Sequence, residues 1–299
     1  MSDEFRIAIG TAQFGLDYGI TNTRGQVPGD EVELILQTAE RYGIDTLDTA
    51  AAYGDAESVL GEYKGLGRFR VVTKISPETA GDVDGDLRRS RDRLRADILD
   101  TVLVHDTEMV LAHPEIWRAL ATRRRAGTVR RIGISVYWPR QWYEFVAMCT
   151  RDGLSLPEMI QLPMSVFDQR FVPILTHLKS RSVEIHVRSV YLQGAVFFNS
   201  SSISPGLAAL SAKIEALQEI EDWYSVSRAA VCIAFALLHP EIDRIVVGID
   251  GLSRLDETIF AFREAASLVN SGRLGDGSTF DRLRVDDESI ILPFNWRNF

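Results

Sequence analysis

Cysteine is scarce in this chain of 299 residues, which contains only Cys149 and Cys232. They form no CxxC pattern or other spacing that binds a metal ion, and a disulfide framework needs more cysteines than two. Cys232 lies in the apolar run AAVCIAFALL, which is typical of a core position. The sequence therefore argues against a disulfide-stabilised secreted domain and against a metal site, and it favours a protein of the reducing cytoplasm.

An excess of positive charge and long apolar runs are also lacking. The 33 basic residues are outnumbered by 42 acidic ones, for a net charge of −9, and this balance argues against a nucleic-acid or anionic-membrane partner. No run approaches the roughly 18 apolar residues of a membrane span, and the segment MSDEFRIAIG does not resemble a secretion signal. We expect a soluble cytoplasmic protein with no nucleic-acid or membrane partner, and its oligomeric state stays open.

What the sequence does contain is a repeated alternation of strand and helix patterns. Nearly continuous apolar runs, typical of strands buried on both faces of a parallel sheet, cover residues 6–10, 46–50, 70–75, 99–106, 131–136, 159–165, 184–190 and 244–249. Helical patterns cover residues 29–43, 85–99, 115–127, 140–150, 169–180, 206–222, 226–238 and 252–269.

Eight strand–helix units with no linker predict a (β/α)8 barrel (TIM barrel) that forms a single domain over residues 1–299. A doubly wound open sheet is the competing topology. It usually carries an early GxGxxG turn, whereas this chain has GTAQFG. Residues 270–299 lack periodicity and are predicted to form an irregular tail that packs across the barrel.

Ionisable side chains follow three consecutive predicted strands. Asp48 ends the second strand, Tyr53 lies in the loop after it, and Lys74 and His105 stand near the ends of the next two. Each has an ordinary structural explanation, as a turn residue, a surface phenol, a paired ammonium or a core imidazole. In a (β/α)8 barrel, however, these strand ends meet on the active face, so their common location favours an active site.

The chemistry open to these four groups is specific. Lys74 can pair with Asp48, and its ammonium is expected to lower the pKa of Tyr53 toward the working pH. A phenol so tuned is a general acid that protonates an oxyanion, and His105 can donate to the same oxygen. The set contains no nucleophile and no zinc-type cluster, so it indicates polarisation of a carbonyl group while an external reductant delivers hydride.

Four stretches, IGTAQFG, DTAAAYGDAESVLGE, VVTKI and VLVHD, resemble the successive signatures of the aldo-keto reductases, and the match runs from about residue 6 to about residue 265. That family consists of (β/α)8 enzymes that use NADP(H) or NAD(H). The resemblance implies that Asp48, Tyr53, Lys74 and His105 form the family's catalytic tetrad, with Tyr53 as the acid/base. It also implies NADP(H) as the expected cofactor, with NAD(H) as the alternative.

The resemblance further implies which residues contact the cofactor. Gly10 and Thr11 would lie beneath the nicotinamide, and Ser135 and Gln161 would bind its carboxamide, although Val136 stands where the family commonly has asparagine. The motif RSVYLQG leads toward the pyrophosphate, and the loop VVGIDGLSRLDE surrounds the adenosine phosphate, where helix N-terminal N–H groups face the anion. These two segments supply Arg188, Ser189, Tyr191, Gln193, Gly194, Gly248, Asp250 and Arg254.

Arg188 departs most clearly from the family pattern, since an aromatic residue is usual at that position. Two explanations stay open at this point. A carboxylate of the protein neutralises Arg188 as part of the framework, or its guanidinium points into the pocket and binds an anionic substrate through a two-pronged hydrogen bond.

The resemblance implies NAD(P)H-dependent reduction of a small aldehyde, ketone or open-chain sugar. A sugar dehydrogenase that works in the oxidative direction is the alternative within the same fold, because the tetrad is reversible. A cofactor-sensing regulatory subunit is a third reading from a different class, and the complete tetrad disfavours it. Candidate substrate contacts are the aromatic residues Tyr18, Tyr137, Trp138, Phe197, Phe198 and Trp296.

Overall fold

Eight parallel strands close into a barrel at the centre of the molecule. The structure is a computed structural model that describes residues 5–20, 22–75, 82–200, 203 and 205–298. Each strand pairs with the next and the last pairs with the first, which confirms the predicted (β/α)8 barrel and excludes the open sheet. The strands are β1 (Ile7–Gly10), β2 (Thr46–Asp48), β3 (Arg70–Ile75), β4 (Leu99–Val104), β5 (Val129–Ser135), β6 (Met159–Pro163), β7 (Glu184–Arg188) and β8 (Arg244–Gly248).

Among the described residues, eight helices correspond to predicted segments and four short helices were not predicted. In chain order, the helices are α1 (Ala12–Gly15), α2 (Gly29–Arg41), α3 (Ala56–Glu62), α4 (Val83–Leu94), α5 (Thr107–Ala112), α6 (Pro114–Arg125), α7 (Pro139–Asp152), α8 (Leu175–Ser180), α9 (Ser211–Tyr224), α10 (Arg228–Leu237), α11 (Leu252–Asn270) and α12 (Glu288–Ile291). The helices α8 and α9 begin later than predicted, because 3-10 turns precede them at Val172–Ile174 and Pro205–Leu210. Each turn contains a proline, which cannot donate the hydrogen bond of a continuing helix.

The carboxyl-terminal segment is more regular than the irregular tail predicted for residues 270–299. It contains the short helix α12 and 3-10 turns at Ser278–Leu283 and Pro293–Asn298. These elements are too short for periodicity to show in the sequence. The segment does pack across the barrel: the backbone N–H of Val285 donates to the carbonyl of Phe167 at 2.9 Å, and the ring of Phe294 meets that of Tyr137 edge-on at 5.3 Å.

Strand register brings the predicted site residues to one rim. Gly10 of β1 is opposite both Asp48 of β2 and Gly248 of β8, and Ser135 is opposite Gln161. In a parallel barrel, residues at the same register level and carboxyl end surround one mouth. The fold therefore places side chains that are far apart in the sequence around a single opening.

The remaining sequence features belong to the core. Both cysteines are buried, and burial raises the pKa of the Cys149 thiol to about 12 and also raises that of Cys232, so both are packing residues.

Within the described residues, no helix combines the length and the apolar character needed to cross a membrane.

Candidate active site

A cavity of about 380 Å³ opens at the carboxyl-terminal rim of the barrel, a size usual for small-molecule sites. Asp48, Tyr53 and His105 line it, and Lys74 is buried next to Asp48. The residues implied for cofactor binding that also line it are Gly10, Thr11, Gln161, Arg188, Ser189, Tyr191, Gln193, Gly194, Gly248, Asp250 and Arg254. Ser135 is buried outside this lining, and its carbonyl accepts a hydrogen bond from Thr107 Oγ1 at 2.7 Å.

A buried ion pair forms the base of the site. Lys74 Nζ lies 2.7 Å from Asp48 Oδ1, and the two side chains are only 1% and 4% exposed. Lys74 also donates to the carbonyl of Thr49 at 2.9 Å, and Gln161 Nε2 donates to the other Asp48 oxygen at 2.6 Å. Burial lowers the pKa of Lys74, and the Asp48 carboxylate opposes that effect. Each charge is thus held by a partner, as buried charges require.

Tyr53 and His105 lie beside this ion pair. Lys74 Nζ is 5.2 Å from the centre of the Tyr53 ring, and the Tyr53 and His105 rings meet edge-on at 5.9 Å. The expectation that the pKa of Tyr53 is lowered toward the working pH is wrong in this structure. Burial, followed by the Asp48 carboxylate, raises the pKa of the phenol. The reason is that the Lys74 charge is already paired with Asp48, so desolvation decides the balance, and the phenol stays protonated at neutral pH.

His105 is a neutral imidazole. Burial lowers its pKa to about 3, and the nearby cations Lys74 and Arg188 act in the same direction. A neutral imidazole donates from one ring nitrogen and accepts at the other. Next to a protonated phenol, it provides a second hydrogen-bond donor for an oxygen bound in the cavity.

Two glycines hold the loop that carries Tyr53. A Cβ atom on Gly15 of α1 would lie 2.0 Å from the carbonyl oxygen of Tyr53, and one on Gly54 would lie 2.3 Å from the carbonyl oxygen of Gly15. Gly54 also has φ +53°, a conformation that favours glycine. The phenol is thus set by close backbone contact between the loop after β2 and the segment GTAQFG.

We predict that Gly15→Ala displaces this loop. The added methyl group has no space, so the free energy of unfolding should fall by about 1–3 kcal/mol and kcat should fall with it. Urea unfolding and steady-state kinetics measure the two effects. Gly29→Ala is the matched control, because no atom lies within 4 Å of its added Cβ. Unchanged stability and turnover in Gly15→Ala would show that the contact does not position Tyr53.

Unpartnered polar atoms on the cavity wall show what kind of ligand fits. Gln13 Oε1, Gln161 Oε1 and Tyr191 OH are buried and have no hydrogen-bond partner within the described part of the chain. An unsatisfied buried polar group costs about 1–3 kcal/mol, so these atoms favour a ligand with several hydrogen-bonding groups. Gly10 and Gly248, paired across β1 and β8, add no side chains of their own to the cavity wall. These features fit a nicotinamide dinucleotide.

The loop after β7 has an unusual backbone. Ser189, Leu192 and Gln193 have φ values of 62°, 45° and 51°, in the left-handed region that costs non-glycine residues about 1–2 kcal/mol each. Such strain concentrates at ligand-binding segments. Ser189 and Gln193 line the cavity, and Gln193 Nε2 donates to the Tyr18 hydroxyl at 3.1 Å. This loop is part of the motif RSVYLQG, which was expected to contact the cofactor, and it forms part of the cavity wall.

The loop after β8 is rich in carboxylates. Arg254 Nη1 lies 2.7 Å from Glu257, and Arg254 Nε lies 3.5 Å from Asp250. Glu31 accepts a hydrogen bond from the backbone N–H of Leu252, the first residue of α11, at 2.9 Å. One donor of this helix N-terminus is therefore already satisfied by a carboxylate, and the single guanidinium of the loop is already paired. Arg24 reaches this loop from outside it, with Nη1 3.1 Å from the Asp250 carbonyl, and it pairs with Glu31, so carboxylates balance both guanidinium groups at the expected phosphate site.

Sequence reasoning missed Gln13, which lines the cavity and would lie 3.1 Å from a Cβ atom on Gly248. Its position three residues after β1 was the available signal. Of the aromatic candidates, Tyr18, Tyr137 and Phe197 line the cavity, whereas Trp138, Phe198 and Trp296 do not. Trp138 instead donates from Nε1 to Glu288 Oε1 of α12 at 2.8 Å.

Known proteins resemble this chain over most of its length. The model of the aldo/keto reductase family matches residues 6–269. The 6-dehydroglucose reductase of Agrobacterium fabrum is 24% identical over 255 residues, with 78% of this chain and 82% of the relative covered. The L-galactose dehydrogenase of Arabidopsis thaliana is 24% identical over 278 residues, with 82% of each chain covered. A crystal structure of a mutant of Gox0644 in complex with NADPH has a TM-score of 0.67 and 19% identity, with 94% of this chain and 90% of that chain covered.

The family match spans nearly the whole barrel, and the resemblance noted in the four sequence motifs is confirmed. Relatives with oxidoreductase names favour an enzyme over a regulatory subunit. The chain therefore belongs to the aldo/keto reductase family and is an NAD(P)-dependent oxidoreductase.

Proposed function

We propose that this enzyme reduces the aldehyde or ketone group of an open-chain sugar or a similar small carbonyl compound with NADP(H), and that Tyr53 is the proton donor. The observation that carries the proposal is the protonated Tyr53 phenol beside neutral His105, next to the buried Asp48–Lys74 pair, at one end of the cavity. The relatives named for sugar substrates support the substrate class.

Each residue has a defined role in the proposed reaction. When bound, NADP(H) supplies hydride to the carbonyl carbon. Tyr53 donates its proton to the carbonyl oxygen, which gives the alcohol, and His105 donates a hydrogen bond that orients that oxygen. The Lys74 ammonium stabilises the phenolate left on Tyr53, and Asp48 keeps Lys74 charged against the cost of its burial.

Two features of the site support binding of a nicotinamide dinucleotide. The Gln161 amide donates from Nε2 to Asp48, because an ionised carboxylate can only accept. The amide oxygen of Gln161, Oε1, has no partner within the described residues and can accept a hydrogen bond from the carboxamide N–H of the nicotinamide. Arg254 lines the cavity in the segment after β8, where the adenosine phosphate is expected. The test of the function is turnover: NADPH should be oxidised in the presence of open-chain sugar aldehydes. No turnover with any aldehyde, ketone or sugar alcohol in either direction would contradict it.

The oxidative direction is a second candidate, favoured by the name of the L-galactose dehydrogenase relative. The same residues serve it, because the Tyr53 phenolate would accept the proton of the alcohol. Since the pKa of Tyr53 is raised, oxidation should speed up as pH rises, whereas reduction needs the protonated phenol. Comparison of kcat in both directions at neutral pH, each with saturating substrate and cofactor, decides between them.

We predict that NADPH is preferred over NADH only modestly. Arg254 offers the 2′-phosphate one cation, but Asp250 and Glu257 already pair with it. Arg254→Ala should weaken NADPH binding roughly tenfold, on the order of 1.4 kcal/mol, and should spare NADH. Fluorescence titration of both cofactors measures this, with Arg263→Ala on the same helix as the control. A preference for NADPH above roughly a thousandfold, or an equal loss for both cofactors, would refute this assignment.

A further inference from the structure

Arg188 is a cation of the cavity wall that has no carboxylate partner among the described residues. Its guanidinium lies 4.3 Å over the ring of Tyr137. Nη2 donates to the Val136 carbonyl at 3.3 Å, and Nη1 makes a long contact of 3.5 Å with Ser189 Oγ. Among the described residues, the first explanation offered by the sequence, neutralisation by a carboxylate, therefore finds no support. A guanidinium has five N–H donors, so most of them are left for a ligand.

The other charges around the cavity are paired or neutral within the described residues, and Arg188 is not. Asp48 and Lys74 cancel, and Tyr53 and His105 are neutral at pH 7. At the other end of the wall, Asp250 pairs with Arg254. Arg188 is thus the uncompensated charge of the lining within the described residues. The charge of Arg188 acts to lower the pKa of Lys74, of His105 and of Tyr53, although burial outweighs it at Tyr53. Arg188 is therefore within electrostatic reach of the reacting groups.

The surroundings of Arg188 hold it in place for a ligand. Stacking on Tyr137 fixes the guanidinium plane without using its N–H groups, and Tyr137 in turn contacts Phe294 of the carboxyl-terminal segment. Arg188 ends β7, so its backbone belongs to the barrel and not to a mobile loop. A planar donor fixed in this way matches a carboxylate or phosphate group with two parallel hydrogen bonds.

We propose that Arg188 binds the carboxylate or phosphate group of an anionic carbonyl substrate and positions its carbonyl group at Tyr53 and His105. This inference rests on the proposed reductase activity and narrows its substrate class to aldehydes or ketones that carry an acidic group. It predicts a preference for such substrates over neutral ones of the same size.

The test compares Arg188→Met and Arg188→Lys with the unmodified enzyme on two matched pairs of substrates. These are 4-oxobutanoate with its methyl ester, and glyceraldehyde 3-phosphate with glyceraldehyde. Arg188→Met should raise KM for the anion of at least one pair roughly 10- to 100-fold more than it raises KM for the neutral partner, the value of a hydrogen-bonded charge pair. Arg188→Lys should recover part of the loss, since it keeps the charge but not the two-pronged geometry. The pair that responds identifies carboxylate or phosphate as the recognised group.

Binding without turnover separates this inference from the proposed function. Calorimetric titration of the enzyme saturated with NADPH, with succinate and with glycerol 3-phosphate, should give heats of binding for at least one anion, and Arg188→Met saturated with NADPH should give none. Equal effects of Arg188→Met on anionic and neutral substrates, together with no anion binding, would overturn the assignment of Arg188 and leave the reductase proposal intact. Anion binding without turnover of any carbonyl compound would support Arg188 and count against the reductase proposal.

Discussion

Replacement of Tyr53 by phenylalanine is expected to lower kcat for carbonyl reduction by a factor on the order of 10² or more, as loss of a general acid implies. The phenol is protonated at neutral pH because burial raises its pKa, so the hydroxyl removed is the proton donor of the proposed reaction. The ring remains, and with it the contact to His105 and the shape of the cavity. NADPH binding, measured by fluorescence titration, should therefore change little.

Tyr63→Phe is the matched control for this experiment. The Tyr63 hydroxyl donates to Glu40 Oε1 at 2.8 Å, and Tyr63 does not line the cavity. Its loss should leave kcat close to that of the unmodified enzyme. If Tyr53→Phe also keeps a near-normal kcat, Tyr53 is not the acid and the proposed mechanism fails.

Replacement of Lys74 by methionine is expected to lower both stability and turnover. The substitution leaves the Asp48 carboxylate buried without its cation, and the removal of one partner of such a pair costs about 3–5 kcal/mol. The unbalanced carboxylate should also raise the pKa of Tyr53 further, since Asp48 already acts in that direction. In the oxidative direction, which needs the phenolate, the pH profile should shift toward alkaline values. Urea unfolding and pH-dependent kinetics measure the two effects.

The double variant Asp48→Asn with Lys74→Met separates structure from catalysis. It removes both charges, so much of the lost stability should return, and the alkaline shift caused by Asp48 should disappear. Turnover should stay low, because the Lys74 ammonium, 5.2 Å from the centre of the Tyr53 ring, no longer stabilises the phenolate and Arg188 is left to do so alone. Recovery of stability and turnover together would show that Lys74 is only a structural partner of Asp48.

The barrel was predictable because its signal repeats. Eight apolar runs alternate with helical patterns, and a closed parallel barrel is the arrangement that buries all of them. The ends of the predicted strands then indicated which side chains share a rim. Asp48, Tyr53 and His105 could therefore be placed around one cavity from the sequence alone. The short elements of the carboxyl-terminal segment gave no such signal, since α12 has only four residues.

Electrostatic detail was harder to predict from the sequence than position. Lys74 was expected to lower the pKa of Tyr53, but the outcome depends on burial and on the 2.7 Å contact between Lys74 and Asp48, neither of which a sequence contains. The role of Arg188 was open for the same reason. Whether a carboxylate approaches its guanidinium depends on side chains from other strands and loops, and only their packed positions answer that question.

The solvent deuterium isotope effect on a single turnover tests the proton-donor role of Tyr53 most directly. Enzyme with bound NADPH is mixed with an aldehyde in H₂O and in D₂O, and the rate of NADPH oxidation is followed for the unmodified enzyme and for Tyr53→Phe. If Tyr53 is the proton donor, we expect a slower turnover in D₂O for the unmodified enzyme. We expect no such difference for Tyr53→Phe, which lacks the donor. The same isotope effect in both proteins would show that the proton reaches the carbonyl oxygen from another group, and it would contradict the proposed role of Tyr53.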